Sequence, residues 1–525
     1  MSAIQTLAPD AVIVGWDFST GAAKALAFDL TGKVLAEARC PTDLWTNAGV
    51  SELNLMMLEG QARATTRELA GKLRELGRLK DWVAGGISAT HHTSGRVDRY
   101  GNQVRRAICW NDQTLAKYHA KGLERLGGPD AVQKLIGGPW AIRYSLSHLV
   151  KDEETLSDKC WKETAHIVPH GPCAAGYLTG RFDVTSVSSA ASTGIMDFRT
   201  NQWSEGMLGA LAKPEYRDLA WKTLPAIIQD MNEPIGRLTD AVAVDAGLPL
   251  GQRPLVFPTL DDQAAGLVGG GAVDAGQVAI ILGNSAVVNS SASAAPQSGS
   301  LDAMKLNWGP YLWMRCYSNG AQFLDRVVGP KPDWDAMETA ARKVPAGCDG
   351  TAVLPFVLSE PSVGVHEPRV EWFPGEPTDP GIRFRAALEA IAYLIGLAVH
   401  EHEAAGQTVT RITMSGGIAR SALMGEILAS VIGRRIERLV SDEGTALGAA
   451  VVALAGIESH NRMRLRENAS EVERKDNLYV KNVAELFTVA DAVSALVKFR
   501  DPVAPVPEWQ GAYAKGIAEF RGRIR

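Results

Sequence analysis

Short polar turns interrupt apolar runs at two distant places in the chain. The runs Val12–Asp17 and Ala22–Asp29 are separated by one such turn near the N-terminus. In the second half, Gln277–Leu282 and Ala286–Ser290 flank the small polar turn Gly283–Ser285. Apolar runs of this length, bounded by turn residues, predict buried strands. The pattern therefore predicts two β-hairpins of similar form and, with them, a duplicated architecture.

Helical patterns alternate with the predicted strands. The stretch Leu53–Leu76 is typical of a helix and Val83–Ser88 of a strand, and this alternation indicates α/β layers. Later, the predicted strand Arg411–Ser415 leads through the Gly416-Gly417 turn to a helix that Ser421 would cap.

A turn-rich stretch at 247–258, which holds three prolines, divides the chain. A protein of 525 residues is too long for one compact core. We therefore predict two domains, 1–254 and 255–525.

Composition excludes several classes of partner. The chain is 46% apolar with a formal net charge of −5, so it has no electrostatic footprint for nucleic acid and no basic run for a membrane surface. The longest apolar run, 446–456, is too short to cross a bilayer, and the six cysteines form no metal-binding pattern. These features predict a cytoplasmic enzyme with reduced thiols and no nucleic-acid or membrane partner.

The residues around the first hairpin turn suit phosphate chemistry. Small residues let backbone amides approach a phosphate, and the hydroxyls of Ser19 and Thr20 can donate to it. Asp17, at the end of the strand, could hold Mg²⁺ through its waters. The alternative is that Asp17 and Ser19 only cap a turn. The matching Gly283–Ser285 turn favours the phosphate reading, because two hairpins can hold one polyphosphate.

Two adjacent carboxylates, Asp261 and Asp262, begin a predicted helix of small residues. We expect the helix dipole to keep both ionised, and an ionised carboxylate can accept a proton. Helix capping is the favoured role for Asp261, whereas capping and general-base catalysis are equal alternatives for Asp262.

The Gly416-Gly417 turn could let an adenosine lie against bare backbone, with Arg420 or Ser421 touching ribose or phosphate. A tight connection in an α/β layer is the alternative. The chain has neither a G-x-x-x-x-G-K-[ST] loop nor a G-x-G-x-x-G turn, which argues against P-loop and dinucleotide-binding proteins.

Taken together, these motifs resemble the FGGY carbohydrate kinase family, and within it the xylulokinase type. The matches are spread in order along nearly the whole chain: Asp17–Thr20 with Lys24 and Phe28-Asp29, Trp110–Asp112, Leu178–Gly180, Asp262–Ala265, Leu354–Phe356 and 416–450.

The resemblance implies an α/β fold of two ribonuclease-H-like lobes around a central cleft, as in the actin, hexokinase and chaperone ATPase superfamily. It also implies ATP as co-substrate with Mg²⁺, sugar mainly on the N-terminal lobe and ATP mainly on the C-terminal one.

By the same resemblance, Asp262 is the catalytic base and Asp17 the metal-assisting residue. The residues implied for ATP are Ser19, Thr20, Lys24, Gly283, Asn284, Ser285, Gly320, Gly416, Gly417, Arg420 and Ser421. Those implied for the sugar are His92, Trp110, Asp112 and Gln263. His91 is left out, because in an extended segment its side chain would point away from that of His92.

Three positions depart from the family pattern. Thr114 stands where an arginine is frequent, Ser186 where an aspartate is frequent, and Asn284 where a threonine is usual. A ketopentose such as xylulose is the first choice of acceptor, with another ketose or a polyol as alternatives. A non-kinase actin-like or chaperone-like ATPase and a sugar-binding regulator without catalysis are rival classes, and the oligomeric state stays open, with a homodimer as one alternative.

Overall fold

The computed structural model describes residues 3–296, 301–330, 332–470 and 485–524. The chain forms two compact units. The first comprises Met1–Gly269, Ala303–Tyr311 and Thr445–Val497, and the second comprises Gly270–Asp302, Leu312–Gly444 and Lys498–Arg525. These units differ from the predicted domains 1–254 and 255–525, because the chain stays in the first unit through Gly269 and returns to it twice.

Strands and helices up to residue 269 all belong to the first unit. The strands, numbered in chain order, are β1 (Val12–Phe18), β2 (Ala22–Phe28), β3 (Val34–Pro41), β4 (Leu44–Asn47), β5 (Val50–Leu53), β6 (Trp82–Ala89), β7 (Ser94–Val97), β8 (Gln103–Ile108), β9 (His166–Pro169), β10 (Val184–Ser186), β11 (Met196–Asp197), β12 (Gln202–Trp203), β13 (Ala226–Ile228), β14 (Gly236–Arg237), β15 (Leu255–Val256) and β16 (Leu260–Asp261). The helices are α1 (Leu55–Glu75), α2 (Ala116–Leu126), α3 (Pro129–Ile136), α4 (Ser145–Thr155), α5 (Asp158–Glu163), α6 (His170–Thr179), α7 (Val187–Ala191), α8 (Pro214–Thr223), α9 (Asp240–Ala246) and α10 (Asp262–Gly269).

The later elements are divided between the units. The strands are β17 (Gln277–Leu282), β18 (Ala286–Ala292), β19 (Asp302–Lys305), β20 (Tyr311–Tyr317), β21 (Ala352–Phe356), β22 (Arg369–Phe373), β23 (Arg411–Ser415) and β24 (Glu437–Arg438). The helices are α11 (Ala321–Val328), α12 (Trp334–Ala341), α13 (Pro380–Ala404), α14 (Ala422–Ile432), α15 (Gly444–Asn468), α16 (Val489–Leu496) and α17 (Gln510–Ile524).

The main sheet of the first unit has the order β14-β15-β6-β1-β2-β3, and β16 also pairs with β6. Strands β1 and β2 are antiparallel, whereas β1 and β6 are parallel. Helix α15 lies directly on this sheet, because a Cβ on Gly15 would stand 1.9 Å from the carbonyl oxygen of Ala446 and one on Gly86 would stand 2.1 Å from that of Ala449. Only glycine allows an approach this close.

The second unit repeats the same strand arrangement. Its sheet includes β20, β18, β17, β23 and β24 in that order, with β17 antiparallel to β18 and parallel to β23. Helix α13 is buried along most of its length in the core beside this sheet. Both predicted hairpins are confirmed, and their shared arrangement matches the predicted duplication.

Two predicted helices begin at capping residues. The side chain of Asn54 accepts a hydrogen bond from the backbone N–H of Met56 at the start of α1. The side chain of Ser421 accepts one from the N–H of Met424 at the start of α14, which ends at Ile432 and is followed by the capping residue Gly433 with φ 72°. In the described parts of the chain, no helix combines the length and the apolar character needed to cross a bilayer.

Candidate active site

The end of β1 carries a buried carboxylate. Asp17 is directly opposite Ser88 of β6, and the Ser88 hydroxyl donates a 2.9 Å hydrogen bond to Asp17 Oδ1. Across the antiparallel pair, Asp17 is opposite Lys24 of β2. Directly opposed residues project from the same face of a sheet, so the Lys24 side chain lies on the face that carries Asp17.

The turn after β1 contains two hydroxyl groups, and the structure gives them different roles that the sequence does not distinguish. The Ser19 hydroxyl donates to the carbonyl oxygen of Ala22 at 2.9 Å and accepts from the N–H of Ala22 at 3.2 Å, so it closes the turn. The Thr20 side chain is half-buried at the tip, and among the described residues its hydroxyl has no hydrogen-bond partner. Of the two, Thr20 has the hydroxyl that can donate to a ligand.

Asp261 caps helix α10, as predicted. Its Oδ1 accepts hydrogen bonds from the backbone N–H groups of Gln263 and Ala264 at 3.0 and 2.9 Å. Its Oδ2 accepts a 2.9 Å hydrogen bond from the Ser188 hydroxyl of α7. Both oxygens are therefore committed to holding α7 and α10 together.

Asp262, the first residue of α10, keeps a quarter of its side-chain surface exposed. Its Oδ1 accepts only long hydrogen bonds, at 3.3 Å, from the backbone N–H of His91 and from Gln263 Nε2. Burial and the charges of Asp261 and Asp17 raise the pKa of Asp262 to about 8. The expectation that the helix dipole keeps Asp262 ionised is wrong, because two neighbouring carboxylates and burial outweigh the dipole.

His91 lies in this carboxylate cluster, contrary to expectation. Its Nδ1 is 3.4 Å from Asp261 Oδ1 and 4.0 Å from Asp262 Oδ1. The segment is not extended, since His92 adopts a φ of 55°, and the two imidazole rings stand only 3.4 Å apart between centroids. The alternation of side chains that excluded His91 holds only in extended backbone.

His92 is buried and has one defined tautomer. Its Nδ1 lies 2.7 Å from the carbonyl oxygen of Ser192, which can only accept, so Nδ1 carries the proton. The ring stacks on Tyr144 with 4.1 Å between centroids. Nε2 has no partner among the described residues and is left as an acceptor for a ligand hydroxyl.

The predicted Trp110–Asp112 motif follows β8, and its two ends are placed differently. Trp110 is half-buried, whereas the carboxylate of Asp112 is fully enclosed. Lys151 Nζ donates to Asp112 Oδ2 and to the Thr114 hydroxyl, each at 2.9 Å. Asp112 also accepts from the N–H of Thr114 at 2.8 Å. Asp112 therefore fixes the conformation of this loop. Lys151 provides the positive charge that pairs with Asp112, beside Thr114, the position where an arginine is frequent in the family pattern.

Carboxylate oxygens of the first unit fit a magnesium ion. Asp17, Asp261 and Asp262 stand close enough for two of their charges to raise the pKa of the third. Mg²⁺ prefers such oxygen ligands and retains several waters. Asp262 is the more exposed of the two carboxylates at the start of α10, so Asp262 and Asp17 are the residues that would hold the ion through its waters.

In the second unit, glycines gather around the tip of the β17–β18 hairpin. The N–H of Ala321 donates to the carbonyl oxygen of Gly283 at 2.8 Å. A Cβ on Gly320 would lie 2.6 Å from that oxygen and 2.8 Å from the Asn284 carbonyl oxygen. A Cβ on Gly416 would lie 2.4 Å from the carbonyl oxygen of Leu282. The structure thus brings Gly283, Asn284, Ser285, Gly320 and Gly416 together.

The other predicted nucleotide residues have partners or open surroundings. Arg420 is exposed and ion-paired with Asp442. The Ser421 hydroxyl donates to Glu338 Oε2 at 2.7 Å while it caps α14. Gly417 faces open space, since no neighbouring atom of the described residues would lie within 4 Å of a Cβ at this position. Among these three, Gly417 offers the bare backbone that the prediction required.

Glu360 is a supporting residue to which the sequence pattern assigned no role. Its Oε2 accepts hydrogen bonds from the backbone N–H of Ser318 at 2.6 Å and from Asn319 Nδ2 at 3.2 Å. Burial raises the pKa of Glu360, although the hydrogen bonds from Ser362, Ser318 and Asn319 oppose this shift. Glu360 therefore fixes the segment that presents Gly320 to the hairpin tip.

Comparison with protein families matches most of the chain. Residues 12–269 match the N-terminal domain of the FGGY family of carbohydrate kinases, and residues 328–457 match the C-terminal domain of that family.

Individual relatives cover nearly the whole chain at low identity. A xylulose kinase of Bacillus subtilis is 23% identical over 514 residues, which are 93% of this chain and 99% of that protein. A glycerol kinase of Methylorubrum extorquens is 27% identical over 488 residues, 85% of this chain and 89% of that one. The solved xylulose kinase of Rhodospirillum rubrum superposes with a TM-score of 0.77 at 20% identity and covers 98% of both chains, which shows the same fold.

Proposed function

Because the chain belongs to the FGGY family of carbohydrate kinases, whose two domain models it matches, we propose that it phosphorylates a ketopentose such as xylulose, with Asp262 as the general base. The observation that carries this assignment is the position of Asp262 at the start of α10. It is a partly exposed carboxylate with two long hydrogen bonds, next to a second carboxylate whose oxygens are filled.

Asp262 would accept the proton of the attacking sugar hydroxyl. Its Oδ1 is oriented by the His91 N–H and the Gln263 amide, and a base held in this way costs no reorganisation when the reaction occurs. His92 Nε2 is a buried acceptor that suits a second sugar hydroxyl, while half-buried Trp110 offers an apolar surface.

Asp17 and Asp262 would hold a magnesium ion through its water ligands, and its positive charge would favour ionised carboxylates and neutralise phosphate oxygens. Without that charge, the pKa of about 8 keeps much of Asp262 protonated at neutral pH. The free hydroxyl of Thr20 and the ammonium of Lys24 are then suited to donate to phosphate oxygens.

For the second unit, we propose that the Gly283–Ser285 turn, Gly320 and Gly416 form the backbone surface for the nucleotide of ATP. The backbone segments approach each other closely here because Gly320 and Gly416 have no Cβ. A Cβ at either position would overlap carbonyl oxygens. Arg420 would have to leave Asp442 before it could contact a phosphate.

The choice of a ketopentose is supported by the similarity to xylulose kinases along almost the full chain. Glycerol kinase is also among the relatives, so a polyol is the second candidate acceptor.

A coupled assay of ADP release across ketopentoses, ketohexoses and polyols tests this assignment. We expect the highest kcat/KM for a ketopentose and only slow ADP release with ATP alone, because water is a poor substitute for a bound acceptor. A polyol that exceeds every ketopentose at least tenfold would replace the proposed substrate, and rapid sugar-independent ADP release would contradict the kinase assignment itself.

A further inference from the structure

Three side chains of the first unit present metal-binding atoms to one point. One ligand atom each from His91, Asp261 and Asp262 lies within 4.8 Å of the other two. Two of these residues belong to the predicted carboxylate pair, whereas the imidazole is an addition that the magnesium site does not need.

The His91 imidazole is the observation that points to a ligand. Its side chain is only 5% exposed, yet neither ring nitrogen has a hydrogen-bond partner among the residues that the structure describes. The 3.4 Å from Nδ1 to Asp261 Oδ1 is longer than an ordinary N–H···O hydrogen bond. A buried polar group without a partner is costly, on the order of 1–3 kcal/mol, and a bound cation would remove that cost.

The spacing suits a tetrahedral ion better than magnesium. Zinc bonds of about 2.0–2.2 Å to nitrogen and oxygen place neighbouring ligand atoms about 3.3 Å apart in a tetrahedron. The His91–Asp261 pair is already at 3.4 Å, and the Asp262 oxygen at 4.0 Å needs a small side-chain movement. Imidazole is a preferred ligand of zinc, whereas magnesium selects oxygen donors.

We propose that His91, Asp261 and Asp262 form an inhibitory site for a divalent cation with zinc-like chemistry. The positive charge of an ion bound directly to Asp262 Oδ1 lowers the basicity of that carboxylate, so the carboxylate no longer accepts the sugar proton. Zinc would thereby block turnover in the presence of excess magnesium and ATP. The inhibition, though not the binding, rests on the proposed role of Asp262 as base.

Calorimetric titration of the full-length protein with Zn²⁺, without nucleotide or sugar, tests the binding. We compare the parent with His91→Gln and with His366→Gln, an exposed histidine of the second unit that serves as the matched control. Loss of one ligand should weaken the tightest Zn²⁺ site about tenfold or more in His91→Gln and leave it unchanged in His366→Gln. Equal Zn²⁺ binding by the parent and His91→Gln would overturn the proposal.

Asp262→Asn provides a second binding variant if His91→Gln does not fold. It should also weaken Zn²⁺ about tenfold or more, and parent-like affinity would again overturn the site. Inhibition by Zn²⁺ is then measured at constant Mg–ATP in the parent and His91→Gln, so that binding of zinc to ATP affects both equally. Zinc binding that depends on His91 in a protein with no sugar kinase activity would contradict the proposed function and leave the metal site standing.

Discussion

Two neighbouring aspartates show how far residue identity alone determines a role. Asp261 and Asp262 both stand at the start of α10, where a helix dipole acts on them alike. Asp261 differs because two backbone N–H groups and the Ser188 hydroxyl fill its oxygens. Capping by Asp261 follows from the sequence, but the raised pKa of Asp262 does not, because it depends on burial and on the charge of Asp17, which comes from a distant part of the chain.

The first hairpin turn offers a test at the scale of single hydroxyl groups. Thr20→Val keeps the shape of the side chain but removes the hydroxyl that has no partner within the described protein. We expect ATP to bind about 10- to 100-fold more weakly, since a hydrogen bond to a charged group contributes about 1.5–3 kcal/mol. Calorimetric ATP titration measures the change.

Ser19→Ala is the matched control in the same turn. Among the described residues, the Ser19 hydroxyl forms hydrogen bonds only with the backbone of Ala22, so its loss should lower the free energy of unfolding by about 1 kcal/mol. The effect on ATP affinity should be smaller than that of Thr20→Val. Unchanged ATP affinity in Thr20→Val would remove Thr20 from the site.

At the scale of elements, the sequence predicted the hairpins and caps, whose formation depends on residues that are neighbours along the chain. Both hairpins and the Ser421 cap of α14 follow from local pattern, and the structure has them. The contact of Gly320 with the Gly283–Ser285 turn does not follow from pattern, because two strands, β19 and β20, separate that hairpin from the N-terminus of α11 along the chain. Glu360, which holds the segment before Gly320, was missed as a support for the same reason.

Gly320→Ala tests whether this contact positions the turn that we propose binds the nucleotide. The added Cβ would lie 2.6 and 2.8 Å from backbone oxygens of the turn. These oxygens can move away only if the turn itself is displaced. We expect a loss of about 1–3 kcal/mol in the free energy of unfolding and a clear rise in the KM for ATP.

Gly511→Ala is the control for glycine replacement in the same unit. In the part of the chain that the structure describes, no neighbouring atom would lie within 4 Å of a Cβ on Gly511, so stability and KM should stay close to those of the parent. A Gly320→Ala variant with parent-like melting temperature and parent-like KM for ATP would show that the turn tolerates the methyl group.

At the scale of the whole molecule, chain order and compact units do not coincide. The predicted boundary followed a proline-rich stretch, but β15 and β16 pair with β6, and this keeps the chain in the first unit through Gly269. Helix α15 returns to the same unit because Gly15 and Gly86 leave room for its backbone on the sheet. Local composition cannot predict such a contact, because nothing in the neighbouring sequence distinguishes either glycine from an ordinary strand residue.

The central claim is that Asp262 accepts the proton of the sugar hydroxyl, and Asp262→Asn tests it most directly. Asparagine keeps the size but removes the basic oxygen, so kcat should fall about 10²- to 10⁴-fold while sugar affinity, measured by calorimetry, stays within a few-fold. Asp240→Asn, which removes a carboxylate whose side chain is 86% exposed in α9, should leave both quantities unchanged. A kcat for Asp262→Asn within a few-fold of the parent would contradict the account.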